Sequence, residues 1–322
     1  MSSARCASFD SFSPKPESAL SIREKSLADL PEGQIRLKMA YAPVNPADIN
    51  IVQGVYGSLP DLPATPGIEG VGRVESIGTG VENWRPGDLA VPLDPTGTWS
   101  THFDLPAEAV VKIPEGVPLQ QASMLRVNPL TAWHLIHTLG PPEPGSWILQ
   151  NAANSAVGHC VSGLASALGL NLINLSRRPE ENPGHLADDG SALEKAKELV
   201  GDEPAPLALN AVGGESALRL MNLLSPEGTM VTYGAMARRP IKVPNSLLIF
   251  KNLTLRGFWL TRWLRSAPRQ EIESLFATLA SHLLDGSVEV PVDTVYPLAD
   301  VRDAVAHAQQ PGRSGKILLD LS

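Results

Sequence analysis

Thiols are scarce in this sequence: only Cys6 and Cys160 are present. That excludes a disulfide framework of several bridges and any metal centre built on several thiolates. So few cysteines point to a reducing compartment. No apolar run approaches the ~20 residues needed to span a bilayer. No basic run stands out either, and the formal net charge is −8. This speaks against nucleic acid or an anionic membrane surface as the main partner. An anionic small substrate stays open, because local basic clusters coexist with a negative total. The opening residues, MSSARCASFDSF, lack the apolar centre of a secretory signal. They are also too poor in Arg to resemble an organelle transit peptide. A cytoplasmic location is expected. Internal repeats and low-complexity segments are lacking too.

What is present is a globular balance, 43% hydrophobic and 19% charged, over 322 residues, which suits two cores better than one. The first third is rich in Gly, Pro and short strands. Residues 34–42 (QIRLKMAYA) alternate like a half-buried strand. Residues 67–92 carry short β-branched runs between Gly, Pro and Asp, with a turn at Pro86-Gly87-Asp88. This pattern predicts a small, tightly turning β-barrel. From Pro118 to Leu139 the alternation gives way to a helical texture. Then 146–150 (SWILQ) reads as a buried strand, 155–168 as a helix and 170–175 as a second strand. Such a strand–helix–strand unit starts a parallel sheet. Helices at 191–200 and 215–224 and strands at 207–211, 229–233 and 253–258 extend it. After Pro268 an amphipathic helix, a strand near Val288, a helix at 300–308 and a strand at 316–321 are expected.

The turn after SWILQ reads Asn151-Ala152-Ala153-Asn154-Ser155-Ala156-Val157-Gly158. A dinucleotide fold needs small residues here, for a tight turn, for close backbone approach to a pyrophosphate and for helix–strand packing. Ala153, Ser155 and Gly158 take those three places, so two of the usual glycines are missing. An ordinary strand-to-helix turn would look similar. The context favours an anion site, because the helix dipole begins there. The second strand ends at Ser176-Arg177-Arg178. An acidic residue at this place suits NAD, and arginine suits the 2′-phosphate of NADP. The two arginines therefore favour NADPH, with Glu180 and Glu181 close by as a complication.

These residues carry a resemblance to the medium-chain dehydrogenase/reductase superfamily. Within it, VNPADINIVQGVYGSLP (44–60), VNPLTAW (127–133), YGAMARRP (233–240) and LRGFWL (255–260) resemble mitochondrial-type trans-2-enoyl-thioester reductases. The resemblance implies an α/β chain: a GroES-like β-barrel at 1–121 and 259–322, and a doubly wound Rossmann domain at 122–258. It implies a cofactor in the cleft between domains, and a homodimer. Asn128 would contact the nicotinamide end, and Ser155, Ala156, Val157 and Gly158 the pyrophosphate. Arg177 and Arg178 would hold the 2′-phosphate. Tyr233, Gly234, Ala235, Met236, Phe258, Trp259 and Leu260 would line the nicotinamide and substrate, with Lys316 a further cofactor contact. The proton donor matches Tyr56. The Arg-containing loop is one residue shorter here than in the family. The lack of a targeting extension suggests a bacterial-type cytosolic member.

Alcohol dehydrogenases of the superfamily use a zinc held by Cys and His. The corresponding stretch here is Ala42-Pro43-Val44-Asn45, without a thiol, and the GHE-type motif reads Gly67-Ile68-Glu69. The four-cysteine structural lobe is absent. His134 and His137 have helical spacing but lack a third ligand, so no metal is expected. Without a Lewis acid, the substrate must already be polarised. An enoyl thioester of CoA or of an acyl carrier protein is: hydride adds at its β-carbon, and a proton must then reach the α-carbon. Tyrosine, with an ordinary pKa of about 10, still carries its proton at neutral pH and serves as general acid. Packing of Tyr56 on the barrel is the bland alternative. Trp259 is a candidate wall for an acyl chain or nicotinamide, or simply a core aromatic. Arg238, Arg239, Arg262 and Arg265 form a candidate basic rim, or are scattered solvated charges. Asn45 and Asp48 are read as capping residues. Two other functions compete: a zinc-free quinone or enone reductase, and a catalytically silent NADPH-binding sensor. The ligand argument predicts purified protein without stoichiometric zinc and with full activity after chelation. Activity lost to a chelator and restored by zinc would sink it.

Overall fold

The computed structural model describes residues 3–93, 97–140, 142–179 and 184–322. Two compact units emerge. One takes the chain up to Val127 with Leu264–Gly286 and Val290–Ser322; the other takes Asn128–Trp263 and Ser287–Glu289.

The first unit is built on short strands and helices: β1 (Ser3–Ser8), α1 (Pro16–Ala19), β2 (Ser21–Ser26), β3 (Gln34–Pro43), α2 (Pro46–Val52), β4 (Val71–Ile77), β5 (Leu89–Pro92), β6 (His102–Pro106), β7 (Val110–Lys112) and α3 (Leu119–Ala122). β3 is the hub. It pairs antiparallel with β4 and with β6, and buries Ile35, Leu37 and Met39. Its polar Arg36 is tolerated inside because the guanidinium forks onto Asp104, with both bonds at 2.7 Å. The core gathers Phe9, Leu20, Trp99 and Leu319 around these residues. The Trp99 indole N–H donates to the Pro43 carbonyl at 3.2 Å, so this fully buried ring keeps its polar atom satisfied.

The second unit opens with α4 (Asn128–Ile136), then β8 (Trp147–Asn151), α5 (Ala156–Ala167), β9 (Asn171–Ser176), β10 (His185–Ala187), α6 (Ala192–Val200), β11 (Leu207–Asn210), α7 (Gly214–Leu223), β12 (Thr229–Thr232), α8 (Asn245–Lys251) and β13 (Thr254–Gly257). Its sheet runs β10-β9-β8-β11-β12-β13, and every pairing is parallel. The first strand lies in the middle and the order reverses between β8 and β11. That is the doubly wound dinucleotide topology, whose ligands sit at the carboxyl ends of the strands flanking the reversal. The chain continues through α9 (Leu260–Ser266), α10 (Arg269–Leu284), β14 (Val292–Pro297), α11 (Val301–Gln309) and β15 (Lys316–Asp320). β15 lies parallel to β14 and antiparallel to β3, so the last residues complete a sheet begun by the first fifty.

Some expectations need correction. The strand expected near Val288 lies at Val292–Pro297. Residues 287–289 belong to the second unit, where a Cβ on Gly163 would come within 2.3 Å of the Ser287 carbonyl. The helical texture of 118–139 is two helices, α3 and α4. Between them, Arg126 donates to the carbonyls of Leu93 and Ile68, and Val127 N–H donates to Glu69. These bonds hold 122–127 in the first unit, whereas the sequence put the junction at 121/122. At the other junction, Trp263 packs its ring on His134, which keeps 259–263 in the second unit. Pro244 precedes a helix, α8, which ends at Asn252 in the left-handed conformation with φ +53°, a common helix stop. Only Thr254–Gly257 is strand. Glu180 and Glu181 lie outside the described residues.

Candidate active site

In the second unit the site begins at the turn between β8 and α5. Ala152 takes the left-handed conformation, φ +51°, which a non-glycine residue rarely adopts. The tight turn thus falls on Ala152, one residue before the Ala153 that the sequence pattern singled out. Ser155 caps α5, its hydroxyl accepting from Gly158 N–H at 3.1 Å. A Cβ on Gly158 would lie 2.4 Å from the Ala153 carbonyl and 2.7 Å from that of Ala152. Only glycine lets the helix start this close to the strand end. The geometry fits a bound pyrophosphate, since the first turn of any helix presents N–H groups without intrahelical partners.

Buried polar side chains hold this turn, and sequence reasoning missed them. Gln150 Nε2 donates to Asn174 Oδ1 at 2.6 Å and to the Gly158 carbonyl at 3.1 Å. Asn151 Nδ2 bridges Asn210 Oδ1 at 2.9 Å and Ser216 Oγ at 2.8 Å, while its Oδ1 accepts from Ala211 N–H. Ser216 in turn donates to Asp188, which is paired with Arg219 at 2.7 Å. Amides inside otherwise apolar strands were the available signal.

Tyr233 follows β12, and its hydroxyl is buried without a hydrogen-bond partner. Burial raises its pKa; Cys160 adds to the rise, and the neighbouring Ser155 opposes it. An orphaned hydroxyl beside the cap of α5 is the kind of group a bound ligand would satisfy. A Cβ on Gly234 would meet the Ala211 carbonyl at 2.8 Å, so the backbone after β12 closes tightly on β11. Arg177 and Arg178 stand exposed at the end of β9. Ala235, Met236 and Trp259 are exposed, Phe258 half-buried and Leu260 buried. Asn128 is buried at the start of α4. Arg238, Arg239, Arg262 and Arg265 are all exposed, but Arg265 belongs to the first unit and the others to the second.

His134 and His137 do not converge. His137 stacks on Trp133 and its Nδ1 bonds the Trp133 carbonyl at 2.8 Å. The His134 ring instead lies against Trp263 and Phe258. Among the described residues no group of three metal-ligating side chains comes together.

In the first unit Tyr56 follows α2, half-buried, with its ring against the barrel core. Gly54, two residues before it, has φ +73°, and a Cβ there would strike the Phe12 ring at 2.9 Å. Asp48 and Glu69 are fully buried. Asp48 accepts from the backbone N–H of Asn45 at 2.8 Å and of Ile68 at 3.0 Å, so it caps α2 as expected and also anchors the neighbouring loop. Asn45 Nδ2 donates to Glu69 Oε1 at 2.8 Å, and Lys316 Nζ donates to Asn45 Oδ1. Burial pushes Asp48 up to about 7, against its two backbone hydrogen bonds and Lys316, with the Glu69 charge assisting the rise. Burial raises Glu69 as well, and Lys316 and Asn45 oppose it. In the structure, then, Lys316 is engaged with Asn45, where the sequence suggested a cofactor contact.

A mostly antiparallel seven-stranded sheet in one unit and a doubly wound parallel sheet in the other define a medium-chain dehydrogenase/reductase. Residues 31–115 match the alcohol dehydrogenase GroES-like domain, and residues 185–319 the zinc-binding dehydrogenase domain. The chain is 39% identical over 320 residues to the mitochondrial enoyl-(acyl-carrier-protein) reductase of Rattus norvegicus, covering 95% of this chain and 86% of the relative. The Homo sapiens enzyme is 38% identical over 322 residues, with the same coverage. Among solved structures, the complex of Etr1p with NADP and crotonyl-CoA superposes with a TM-score of 0.88 at 27% identity, over 99% of this chain and 100% of that one. A quinone oxidoreductase of Escherichia coli shares the fold, with a TM-score of 0.86 at 24% identity over 98% and 99% of the two chains. The chain belongs to the enoyl-(acyl-carrier-protein) reductase family of the medium-chain dehydrogenases/reductases.

Burial, reinforced by His137, pushes His134 down to about 4 from 6.5. Between these values the unfolded chain binds a proton that the folded chain refuses, so this residue lowers stability as pH falls through the window. Urea denaturation of His134→Phe should therefore give a shallower loss of stability from pH 6.5 to 4 than the unmodified protein. Equal slopes would assign the acid sensitivity elsewhere.

Proposed function

We propose that the chain reduces the C2=C3 bond of trans-2-enoyl thioesters with NADPH, placing hydride on C3 and a proton on C2. Kinship with enoyl-(acyl-carrier-protein) reductases along 95% of the chain carries the reading. The α5 turn and the Tyr233 hydroxyl support the cofactor. When bound, NADPH supplies the hydride. Ser155, Ala156, Val157 and Gly158 receive the pyrophosphate at the helix start, and Arg177 and Arg178 receive the 2′-phosphate. Asn128, Tyr233 to Met236 and Phe258 to Leu260 serve the nicotinamide and substrate. The thioester carbonyl takes up the charge left by addition at C3. Tyr56 then hands its hydroxyl proton to C2, with no metal required. The carrier of the acyl group is CoA or an acyl carrier protein. A reducing compartment suits the free thiols Cys6 and Cys160. The sequence reading puts the protein in the cytoplasm, while the curated relatives are mitochondrial enzymes.

A homodimer through the second unit is part of this proposal. β13 is the sheet's edge, and all four of its residues are exposed. Beside it in sequence, α8 leaves Ile249 69% and Phe250 83% exposed. An unpaired edge next to exposed apolar side chains favours pairing with an identical edge. Light scattering at micromolar concentration should give twice the chain mass; a strictly monomeric mass would count against it.

Charge-assisted bonds from two exposed arginines should favour NADPH over NADH by roughly 100-fold in kcat/KM, after screening. Arg177→Ala with Arg178→Ala should remove most of that preference. Equal kcat/KM for both cofactors in the unmodified enzyme would refute the assignment.

Tyr56→Phe keeps the ring against the barrel and removes only the donor. With crotonyl-CoA, kcat should fall by about 10²–10⁴ with little change in KM, water supplying the residual proton. Retention of more than about half of kcat in a folded variant would make Tyr56 a packing residue. A solvent isotope effect on the unmodified enzyme, recorded first, tells whether proton delivery limits the rate. A panel of crotonyl-CoA, an alkyl enone and a quinone tests the substrate class. Turnover confined to the quinone would overturn the reading.

A further inference from the structure

We propose that Glu69 is a positioning residue: its buried carboxylate fixes the backbone immediately ahead of Asn128, and so sets the placement of the residue assigned to the nicotinamide end. The proposal rests on the functional reading above.

Glu69 occupies the GHE-type motif whose histidine is replaced by Ile68, so holding a metal does not account for it. Its side chain is fully buried and works at both ends. Oε2 accepts from the backbone N–H of Val127 at 2.8 Å, and Oε1 accepts from Asn45 Nδ2 at 2.8 Å. Lys316 Nζ holds the far side of Asn45. Val127 is the last residue of the first unit before the chain passes into the second at Asn128. The adjoining Arg126 is fixed too, with Nη1 on the Ile68 carbonyl at 3.0 Å and Nε on the Leu93 carbonyl at 2.8 Å. The Glu69 carbonyl is itself held by Thr98 Oγ1 at 2.7 Å. Both carboxylate oxygens face N–H donors. An amide of the same shape has only one acceptor oxygen and would set its NH₂ against either Val127 or Asn45. The chemistry therefore requires glutamate and not glutamine, although the group transfers no proton in the reaction.

Glu69→Gln is the direct test, with two readouts. Hydrogen exchange across residues 124–130 should quicken, and kcat with crotonyl-CoA should fall by ~10²-fold, the effect of misplacing a reacting group by about 1 Å. KM for NADPH and for crotonyl-CoA should stay within about threefold. A purely structural residue would lower Tm and leave kcat per folded molecule unchanged. Asn45→Ala removes the other end of the chain of bonds and should move both readouts the same way by less. It stands in if Glu69→Gln does not fold. Unchanged exchange, or faster exchange with kcat within about twofold of the unmodified enzyme, overturns the proposal. If the unmodified enzyme reduced no enoyl thioester, the parent reading would fall by itself. Glu69→Gln would then be judged by exchange and by NADPH binding, and no change in either would overturn this proposal too.

Discussion

Two carboxylates shut away from solvent, Asp48 and Glu69, decide how the barrel unit is tied together. An ionised carboxylate inside a protein is tolerable only with hydrogen bonds and countercharge. Here the partners come from far apart in sequence: backbone N–H groups at Asn45, Ile68 and Val127, and the cations Arg126 and Lys316. The start of α2, the loop after it, the exit toward α4 and the strand β15 must meet to satisfy them. A unit assembled from both ends of the chain thereby gains a polar register that apolar packing alone does not specify. The pH logic follows. Asp48, lifted to about 7, holds a proton in the folded state that the unfolded chain has released, so its contribution to stability declines as pH rises through that interval. His134 acts with the opposite sign in the other unit.

The sheet unit solves a related problem with neutral groups. Its β8–α5 turn has one glycine where the common dinucleotide fingerprint has three, so the backbone is constrained where glycine would have been free. Ala152 bears the left-handed conformation, at a cost on the order of 1–2 kcal/mol. Gln150, Asn151, Asn174 and Asn210 offset it by fixing the strand ends and the helix start around it. The turn is thus shaped by its neighbours more than by its own residues.

Periodicity and turn chemistry made most of the fold legible. SWILQ, the α5 helix and LNLINL fell within a residue or two of β8, α5 and β9. What escaped was set by tertiary bonds. The break between α3 and α4 depends on Glu69, Ile68 and Leu93, none of which is local. The helix at 245–251 escaped although Pro244 and Asn252 marked its ends. In the site, Ser155, Gly158 and the paired arginines stood out through position relative to strand and helix. Asn151 in β8 and Ser216 in α7 did not, because a buried polar residue acquires meaning only when its partner is in place.

Replacing the motif histidine by Ile68 changes what the remaining groups can do. Ile68 gives its backbone to Asp48 and Arg126, and Glu69 and Lys316 are committed to Asn45. These buried titratable groups are thus spent on geometry. A substrate entering such a site must bring its own electron-withdrawing carbonyl. Its proton must come from a group outside the buried network. The proposed donor, Tyr56, meets that condition: it follows α2, the helix that Asp48 caps, yet its side chain is only half-buried. The same buried carboxylate that costs the barrel solvation anchors the helix leading to Tyr56. In that sense the Ile68 backbone and the helix ahead of Tyr56 are tied to one buried polar core through Asp48.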